Sequence, residues 1–98
     1  MMTHHYFVYI MTNMHNNVLY TGVTSNLYER VQQHKNGKGG KFTSKYHVHK
    51  LVYYEVHEDV YDALAREKAI KGGSRKRKID LVNDMNPDWD DLFHNLQF

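Results

Sequence analysis

Several features that would narrow the class of this protein are missing from its sequence. There is no cysteine, so neither a disulfide framework nor a thiolate zinc site can form, and a reducing cytoplasm is the expected location. No uncharged apolar run approaches the roughly 18 residues that span a bilayer, and the first ten residues lack the pattern of an export signal. We therefore expect a soluble cytoplasmic protein that does not enter a membrane.

Length and composition favour one folded domain over residues 1–98. Domains usually contain about 100 to 150 residues, and a chain of 98 residues does not easily support two cores. With 41% hydrophobic residues, including eight Tyr and four Phe, the chain has enough apolar area to fold without disulfides or a structural metal.

The net charge of +2 conceals an uneven distribution of charge. Residues 66–78 contain seven Lys or Arg and one acid, whereas residues 79–98 contain five Asp and no Lys or Arg. This basic block is suited to a nucleic-acid backbone. It is equally consistent with a solvated helix that is balanced by the acidic tail.

Hydrophobic periodicity and turn residues predict the order β-β-α-β-α-α, with a short closing helix. The predicted strands cover residues 5–12, 18–23 and 47–57; the predicted helices cover 27–36, 60–71 and 75–85, and the closing helix carries Trp89, Leu92, Phe93 and Leu96. Residues 36–45 combine three Gly with three Lys and predict a mobile cationic loop. The order is typical of an α+β domain with a small three-stranded, partly antiparallel sheet flanked by helices. It leaves open which edge of the sheet takes the third strand.

Glu67 is an unusual residue for its place in the sequence. It follows Val60 and Leu64 on the predicted apolar stripe of its helix, so its carboxylate should point towards the core or a cleft. A carboxylate in that position needs a cation, hydrogen bonds or a basic partner. The spacing leaves open an ion pair with Lys68 or Lys71, or a merely solvated position.

Arg30 and His34 lie one turn apart on the first predicted helix and share a face. The two side chains can meet one phosphate, Arg30 through its fork of donors and His34 as a donor or proton shuttle. The alternative is an ordinary polar surface helix.

The hairpin strands contribute two phenols and a glycine. Tyr9 and Tyr20 each offer a hydroxyl group as well as packing area. Gly22, where the second strand gives way to the helix, allows close approach of the backbone to a ligand or another chain.

In this combination the residues resemble the GIY-YIG nuclease superfamily, and most of all its small stand-alone bacterial group, which is related to the N-terminal nuclease domain of the excision-repair incision protein. Phe7-Val8-Tyr9 stands where that family has Gly-Ile-Tyr, and Tyr20-Thr21-Gly22 where it has Tyr-Ile-Gly. Arg30 and His34 follow at the family's spacing, and Glu67 matches its carboxylate. Phe7 replaces the first family glycine, and Val23 stands where the repair enzyme often has Lys.

The resemblance implies phosphodiester hydrolysis in DNA, including branched, damaged or single-stranded forms, in a setting such as DNA repair. Glu67 would hold one Mg²⁺ or Mn²⁺ ion, Tyr9 or Tyr20 would help to deprotonate the attacking water, and Arg30 would stabilise charge on the phosphate. A single carboxylate can suffice for Mg²⁺, because this ion prefers oxygen ligands and retains several waters.

The expected partner is a nucleic acid, with a protein partner as one source of specificity. The candidate contact residues are Gly22, Lys38, Lys41, Lys45, Lys71, Arg75, Lys76 and Arg77. Two other functions remain open: a nucleic-acid-binding module with weak or no hydrolysis, which Val23 favours, and an interaction domain in which the aromatic tail forms a dimer and Glu67 is only paired. The sequence leaves the oligomeric state open.

Overall fold

The computed structural model describes residues 4–96. In chain order its elements are β1 (Tyr6–Thr12), β2 (Leu19–Thr24), α1 (Leu27–Lys35), α2 (Lys41–Lys45), β3 (Lys50–His57), α3 (Val60–Lys71), α4 (Arg75–Met85) and a closing 3₁₀ turn (Leu92–Asn95). The predicted α+β class and the order of the long elements are confirmed. No helix in the described part of the chain is long and apolar enough to cross a bilayer.

The three strands form one sheet in the order β2-β1-β3. The third strand therefore pairs with the first, and both pairings are antiparallel, so the sheet is antiparallel throughout. Tyr9, near the middle of the central strand, faces Gly22 on β2 and Tyr54 on β3. This register determines what surrounds the Tyr9 side chain.

Each face of the sheet carries its own core, because successive side chains of a strand point in opposite directions. On one face, Phe7, Tyr9 and Met11 pack with Leu27 and Val31 of α1 and with the closing turn. The other face packs against α3 and α4, and its core comprises Val8, Ile10, Val52, Tyr53, Ala63, Ile70 and Val82. The sheet is thus covered on both sides.

Capping residues define the starts of the long helices. The side chain of Asn26 accepts a hydrogen bond from the Glu29 N–H at 3.1 Å and donates one to the Glu29 carboxylate at 3.2 Å, so Asn26 caps α1. Asp59 and Ser74 cap α3 and α4, whose bounds are those predicted from the sequence.

The structure corrects three details of the prediction. The second half of the expected loop folds into α2, and β3 begins at Lys50, because His47 has a φ of 54° and interrupts the extended run. The expected closing helix is a single 3₁₀ turn, since Trp89 has a φ of 55° and packs on the α4 side of the sheet, away from Leu92 and Phe93. Leu64 is 47% exposed and does not join the buried stripe of α3.

The C-terminal segment is held by polar side chains. Asp91 accepts hydrogen bonds from the backbone N–H groups of Leu51 at 3.2 Å and Phe93 at 3.1 Å, and it pairs with Lys35 of α1. Asn86, which caps the end of α4, is buried and donates to the carbonyl of Val52 at 3.1 Å. These contacts join α1, β3 and the tail.

Candidate active site

Tyr9 and Gly22 form a matched pair across the two hairpin strands. Tyr9 is 1% exposed, and its ring occupies the space above Gly22. A Cβ atom on Gly22 would lie 2.5 Å from both Cζ and the hydroxyl oxygen of Tyr9, which is too close for any side chain. Gly22 is itself buried, so the structure uses its missing side chain to accommodate the Tyr9 ring.

His34 lies completely buried on α1, on the same face as Leu27 and Val31. Its Nε2 lies 3.0 Å from the hydroxyl of Tyr9. Burial, reinforced by the charge of Arg30 and by His49, lowers the pKa of His34 to about 4. The ring is therefore neutral at physiological pH, and it supports Tyr9 instead of facing solvent beside Arg30.

The glycine-rich segment, residues 36–40, covers Nδ1, the second ring nitrogen of His34. A Cβ atom on Gly39 would lie 2.6 Å from Cε1 of His34, so the Gly39 backbone rests directly on the ring. Within residues 4–96 the Nδ1 atom of His34 is buried and has no hydrogen-bond partner. The approach of Gly39 closes this side of the site to water.

Arg30 connects the phenols to the glycine-rich segment. Its guanidinium donates to the carbonyl of Gly39 at 3.2 Å and to the side-chain oxygen of Gln33 at 2.9 Å. Burial lowers the pKa of Arg30, but the nearby phenols of Tyr9 and Tyr20 outweigh it and raise the pKa overall. Arg30 is only partly buried, so its cationic group lies at the border with solvent. Its hydrogen bonds hold it there, next to both phenols.

The two phenols differ in their access to solvent. Tyr20 lies at the edge of the sheet on β2 and is partly exposed, with its ring centroid 6.3 Å from that of Tyr9 and 5.3 Å from that of His34. Burial raises the pKa of Tyr9 to about 12, and the nearby Arg30 only partly opposes this rise. Tyr9 is therefore a neutral, enclosed phenol at physiological pH, whereas Tyr20 borders the surface.

Glu67, on α3, acts on this group of residues through its charge. Its negative charge contributes to the raised pKa of Tyr9, and 19% of its side chain is exposed. Lys71, one turn later, pairs with the carboxylate at 3.2 Å, which is one of the partners expected from the sequence. The carboxylate is therefore neither lone nor sealed from solvent.

The oxygen atoms of this site suit a hard divalent cation. Among the described residues, no three His, Cys, Asp or Glu side chains lie together in a way that could hold a metal ion. An ion at Glu67 would thus have at most one further side chain of these types beside it, with water and substrate oxygens completing its shell. Mg²⁺ is commonly bound in this way, and Mn²⁺ accepts the same oxygen ligands.

The candidate nucleic-acid contacts fall into two groups. Lys38, Lys41 and Lys45 are exposed on the segment that follows α1 and carries Gly39. In the basic block, Arg75 donates to the carbonyl of Asn17 at 2.9 Å, Lys76 pairs with Asp80 at 2.9 Å, and the exposed Arg77 lines a cleft between α3 and α4. The lysines of the first group lie beside the site, whereas several charges of the second group are already engaged locally.

Three residues of the site were not expected from the sequence. Gln33 and Gly39 hold Arg30, and Phe42 of α2 stacks on Tyr20 with a centroid distance of 6.3 Å and an interplanar angle of 29°. Gly39 stands in a glycine run that predicts only a loop, and Phe42 is the one aromatic residue between Tyr28 and Tyr46. Their contacts depend on how the loop folds back onto α1.

Comparison with known proteins places this site in a family. The sequence model described as the GIY-YIG catalytic domain matches residues 5–80, and the chain belongs to that family. Its relatives include small bacterial UPF0213 proteins. The protein from Staphylococcus haemolyticus is 39% identical over 83 residues, which cover 85% of this chain and 99% of the relative. The protein from Clostridium perfringens is 43% identical over 65 residues, which cover 66% and 70% of the two chains.

A solved structure supports the same assignment. The solution NMR structure of a UPF0213 protein from Bacillus halodurans is 28% identical to this chain and superposes with a TM-score of 0.57. The superposition covers 89% of this chain and 92% of that protein. The α+β fold and its antiparallel sheet are therefore shared with a member of the same group.

Proposed function

We propose that this protein is a metal-dependent endonuclease that hydrolyses phosphodiester bonds in DNA. The observation that carries the proposal is the convergence of Tyr20, Arg30 and Tyr9, within range of the charge of Glu67, in a chain of the GIY-YIG family. A phenol, a fixed guanidinium and a carboxylate are the groups that such a hydrolysis needs for proton transfer, charge stabilisation and cation binding.

In this proposal Tyr20 is the phenol that meets the attacking water. Tyr20 borders solvent, while Tyr9 is enclosed between Gly22 and His34. A neutral phenol that cannot reach substrate is better suited to holding Arg30 and Tyr20 in place. Tyr9 is then a positioning residue, and so is His34 beneath it.

Arg30 stabilises the negative charge that develops on the phosphate. Its two contacts with Gln33 and Gly39 fix the direction of the guanidinium before the substrate arrives, so little reorganisation is needed during the reaction. Its planar fork of N–H donors suits the oxygens of a phosphate group.

Glu67 is the residue that would hold Mg²⁺ or Mn²⁺. When bound, the ion supplies positive charge next to the phosphate and lowers the pKa of a bound water. Lys71 must release the carboxylate, or share it, for the ion to bind. Val23, at the position where the repair enzyme often has Lys, packs against the core under α3 and α4 and adds no cation to the site.

The substrate backbone is held by the lysines that follow α1 and by the basic block of α3 and α4. The proposed contacts are Lys38, Lys41, Lys45, Lys71, Arg75, Lys76 and Arg77; Gly22 is buried and makes room for the Tyr9 ring instead of the substrate. Contacts of this kind are salt-dependent and mostly independent of sequence. A protein partner or the shape of the DNA would then supply specificity.

A nicking assay tests this proposal. Supercoiled plasmid and branched or single-stranded oligonucleotides are incubated with Mg²⁺, Mn²⁺ or EDTA and with the wild type, Glu67→Gln, Arg30→Ala or Glu58→Ala. Glu58 is an exposed carboxylate between β3 and α3, and it serves as the matched control. We expect metal-dependent cleavage by the wild type and Glu58→Ala that is lost in the other two variants. Undiminished cleavage by folded Glu67→Gln contradicts the proposal.

A nucleic-acid-binding module without efficient hydrolysis is the second candidate. The ion pair between Lys71 and Glu67 favours it, because a carboxylate that already has a cationic partner has less need of a metal ion. Salt-sensitive binding to DNA with no cleavage in Mg²⁺ or Mn²⁺ would support this candidate over the first.

A further inference from the structure

A row of aromatic rings leads from the candidate active site to the protein surface. Phe42 stacks on Tyr20, and Tyr46 contacts Phe42 with a centroid distance of 4.9 Å and an interplanar angle of 52°. Phe42 is 47% exposed and Tyr46 is 41% exposed. We call Tyr20, Phe42 and Tyr46 the aromatic row.

The local fold of α2 presents these rings to solvent. Phe42 and Tyr46 are four residues apart, so they share one side of the short helix and its C-cap, while Thr43 is the residue of α2 that is buried. Two large rings side by side on the surface form an apolar patch larger than an isolated exposed residue. Such a patch, next to a site, is a feature of binding surfaces.

Positive charge surrounds the aromatic row. The segment from residue 36 to residue 46 contains three Lys and no acid, and the Nζ of Lys45 lies 5.3 Å from the centroid of the Tyr46 ring. Lys38 and Lys41 are exposed on the same segment. Flat rings bordered by cations complement a chain of flat bases joined by phosphates.

Positive charge continues beyond Tyr46. A cleft of about 560 Å³ begins there, and Lys50 adds a positive charge to its lining. Asp91, the acid in its wall, is already paired with Lys35. A nucleic-acid strand that crosses the aromatic row would thus meet positive charge at both ends of its path, from Arg30 at one end and from this cleft at the other.

We propose that the aromatic row is a stacking platform for unpaired bases of single-stranded DNA, and that a phosphate next to the stacked bases binds at Arg30. This inference rests on the proposed function, because Tyr20 belongs to both the aromatic row and the candidate active site. Bases in a duplex are stacked on each other and paired, so their faces are not free to lie on Phe42 and Tyr46. The platform therefore selects single-stranded or locally opened DNA.

Binding measured by fluorescence anisotropy in EDTA tests the platform without hydrolysis. The probes are a labelled single-stranded oligonucleotide, the same strand with abasic residues at its centre, and the corresponding duplex. Each stacked base contributes about fivefold or more to affinity, so the wild type should bind the abasic strand and the duplex correspondingly more weakly. Equal binding of the intact and abasic strands, or no binding to any probe, overturns the proposal.

Variants test whether the preference for the intact strand over the abasic strand arises from the aromatic row. Phe42→Ala and Tyr46→Ala should bind the intact strand about as weakly as the wild type binds the abasic strand. Phe42→Leu keeps apolar bulk beside Tyr20 without a flat ring and should show the same loss with an unchanged melting temperature. Tyr61, 78% exposed at the start of α3, gives the control Tyr61→Ala, which should discriminate like the wild type. If the double variant with Phe42→Ala and Tyr46→Ala prefers the intact strand over the abasic strand as strongly as the wild type does, the proposal is overturned.

Lysine variants separate charge from stacking. Lys41→Ala should weaken binding of the intact and abasic strands by the same factor and reduce the dependence of affinity on salt. If Lys41→Ala instead removes the discrimination between these two strands, the preference does not arise from stacking on the rings.

Cleavage measured in Mn²⁺ keeps this proposal separate from the proposed function. Glu67→Gln should lose cleavage but keep its preference for the intact strand over the abasic strand. A wild type that discriminates without cleaving contradicts the nuclease and leaves the platform standing. A wild type that cleaves but does not discriminate contradicts the platform alone.

Discussion

The hydroxyl of Tyr9 and the Nε2 of His34 lie 3.0 Å apart inside the core, with glycine backbone against each ring. Both side chains are neutral at physiological pH, because burial raises the pKa of Tyr9 to about 12 and lowers the pKa of His34 to about 4. The pair therefore carries no charge of its own, and it fixes the position of the phenols relative to Arg30.

Substitution of the two tyrosines should separate a positioning residue from a catalytic one. Tyr9→Phe leaves the buried Nε2 of His34 without a partner and should lower the free energy of unfolding by about 1–3 kcal/mol. Tyr20→Phe should change stability by less than about 0.5 kcal/mol and slow nicking by about a hundredfold or more. Urea unfolding and the plasmid assay measure the two effects. Full activity in Tyr20→Phe would assign the catalytic phenol to Tyr9.

Acid should destabilise the protein through His34. The unfolded side chain has a pKa of about 6.5, whereas the folded pKa is lowered to about 4. Between these values the unfolded chain binds more protons, so the free energy of unfolding falls as the pH decreases and loses about 3 kcal/mol by pH 4. Above about pH 6.5 this contribution is constant.

Urea titrations at pH 7.5, 6.0, 5.0 and 4.5 measure this loss, and His34→Gln should flatten it. His49→Gln is the control, because the pKa of His49 is also lowered by burial but His49 is only partly buried and should contribute less. Glu55 and Asp91, whose pKa values are lowered, lose their contribution at more acidic pH. The same slope in His34→Gln and in the wild type contradicts the prediction.

A methyl group at Gly22 should displace the Tyr9 ring. Its Cβ would lie 2.5 Å from Cζ of that ring, so Gly22→Ala should cost about 1–3 kcal/mol of stability. Gly72→Ala is the control: its nearest neighbour is the Lys68 carbonyl at 3.3 Å and its φ is −80°, so the loss should be smaller.

A double-mutant cycle identifies the Gly22 clash directly. In a Tyr9→Leu background, Gly22→Ala should cost much less than in the wild type, because the ring that it meets is gone. Equal costs in the two backgrounds would mean that Tyr9 is not the residue that limits space at Gly22.

Removing Lys71 should make metal binding easier. Lys71 pairs with Glu67 at 3.2 Å and competes with a cation for the carboxylate. Because exposed ion pairs one helical turn apart contribute about 0.3–0.5 kcal/mol, Lys71→Met should lower the Mn²⁺ concentration for half-maximal nicking about twofold. Lys68→Met is the matched control on the same helix. A higher Mn²⁺ requirement in Lys71→Met alone would mean that the proposed contact of Lys71 with the substrate outweighs its competition for the carboxylate.

Local signals were sufficient to predict most of the secondary structure. Asn26, Asp59 and Ser74 cap the helices from within their own segments, so the starts of α1, α3 and α4 could be read from the sequence. The 3₁₀ turn and the start of β3 could not, because Trp89 and His47 adopt positive φ angles, which are uncommon for residues other than glycine. The edge taken by β3 also depends on long-range pairing.

The candidate site was only partly predictable for the same reason. The sequence places Tyr9, Tyr20, Arg30 and His34 on their correct elements, and His34 follows Leu27 and Val31 on the buried face of α1. What the sequence does not show is the contact with Gly39, which covers His34 and accepts a hydrogen bond from Arg30. Contacts made by a loop have no periodic signal in the sequence.

The sheet order has a consequence for how the protein is made. Of the three strands, β1 is synthesised first and is the central strand, and its second neighbour ends at His57. Its edge towards β3 stays unpaired until β3 has been synthesised, because that pairing joins distant segments. The central strand can therefore be paired on both edges only after β3 has been made, and a fragment that ends before β3 would expose this interior strand instead of retaining a reduced activity.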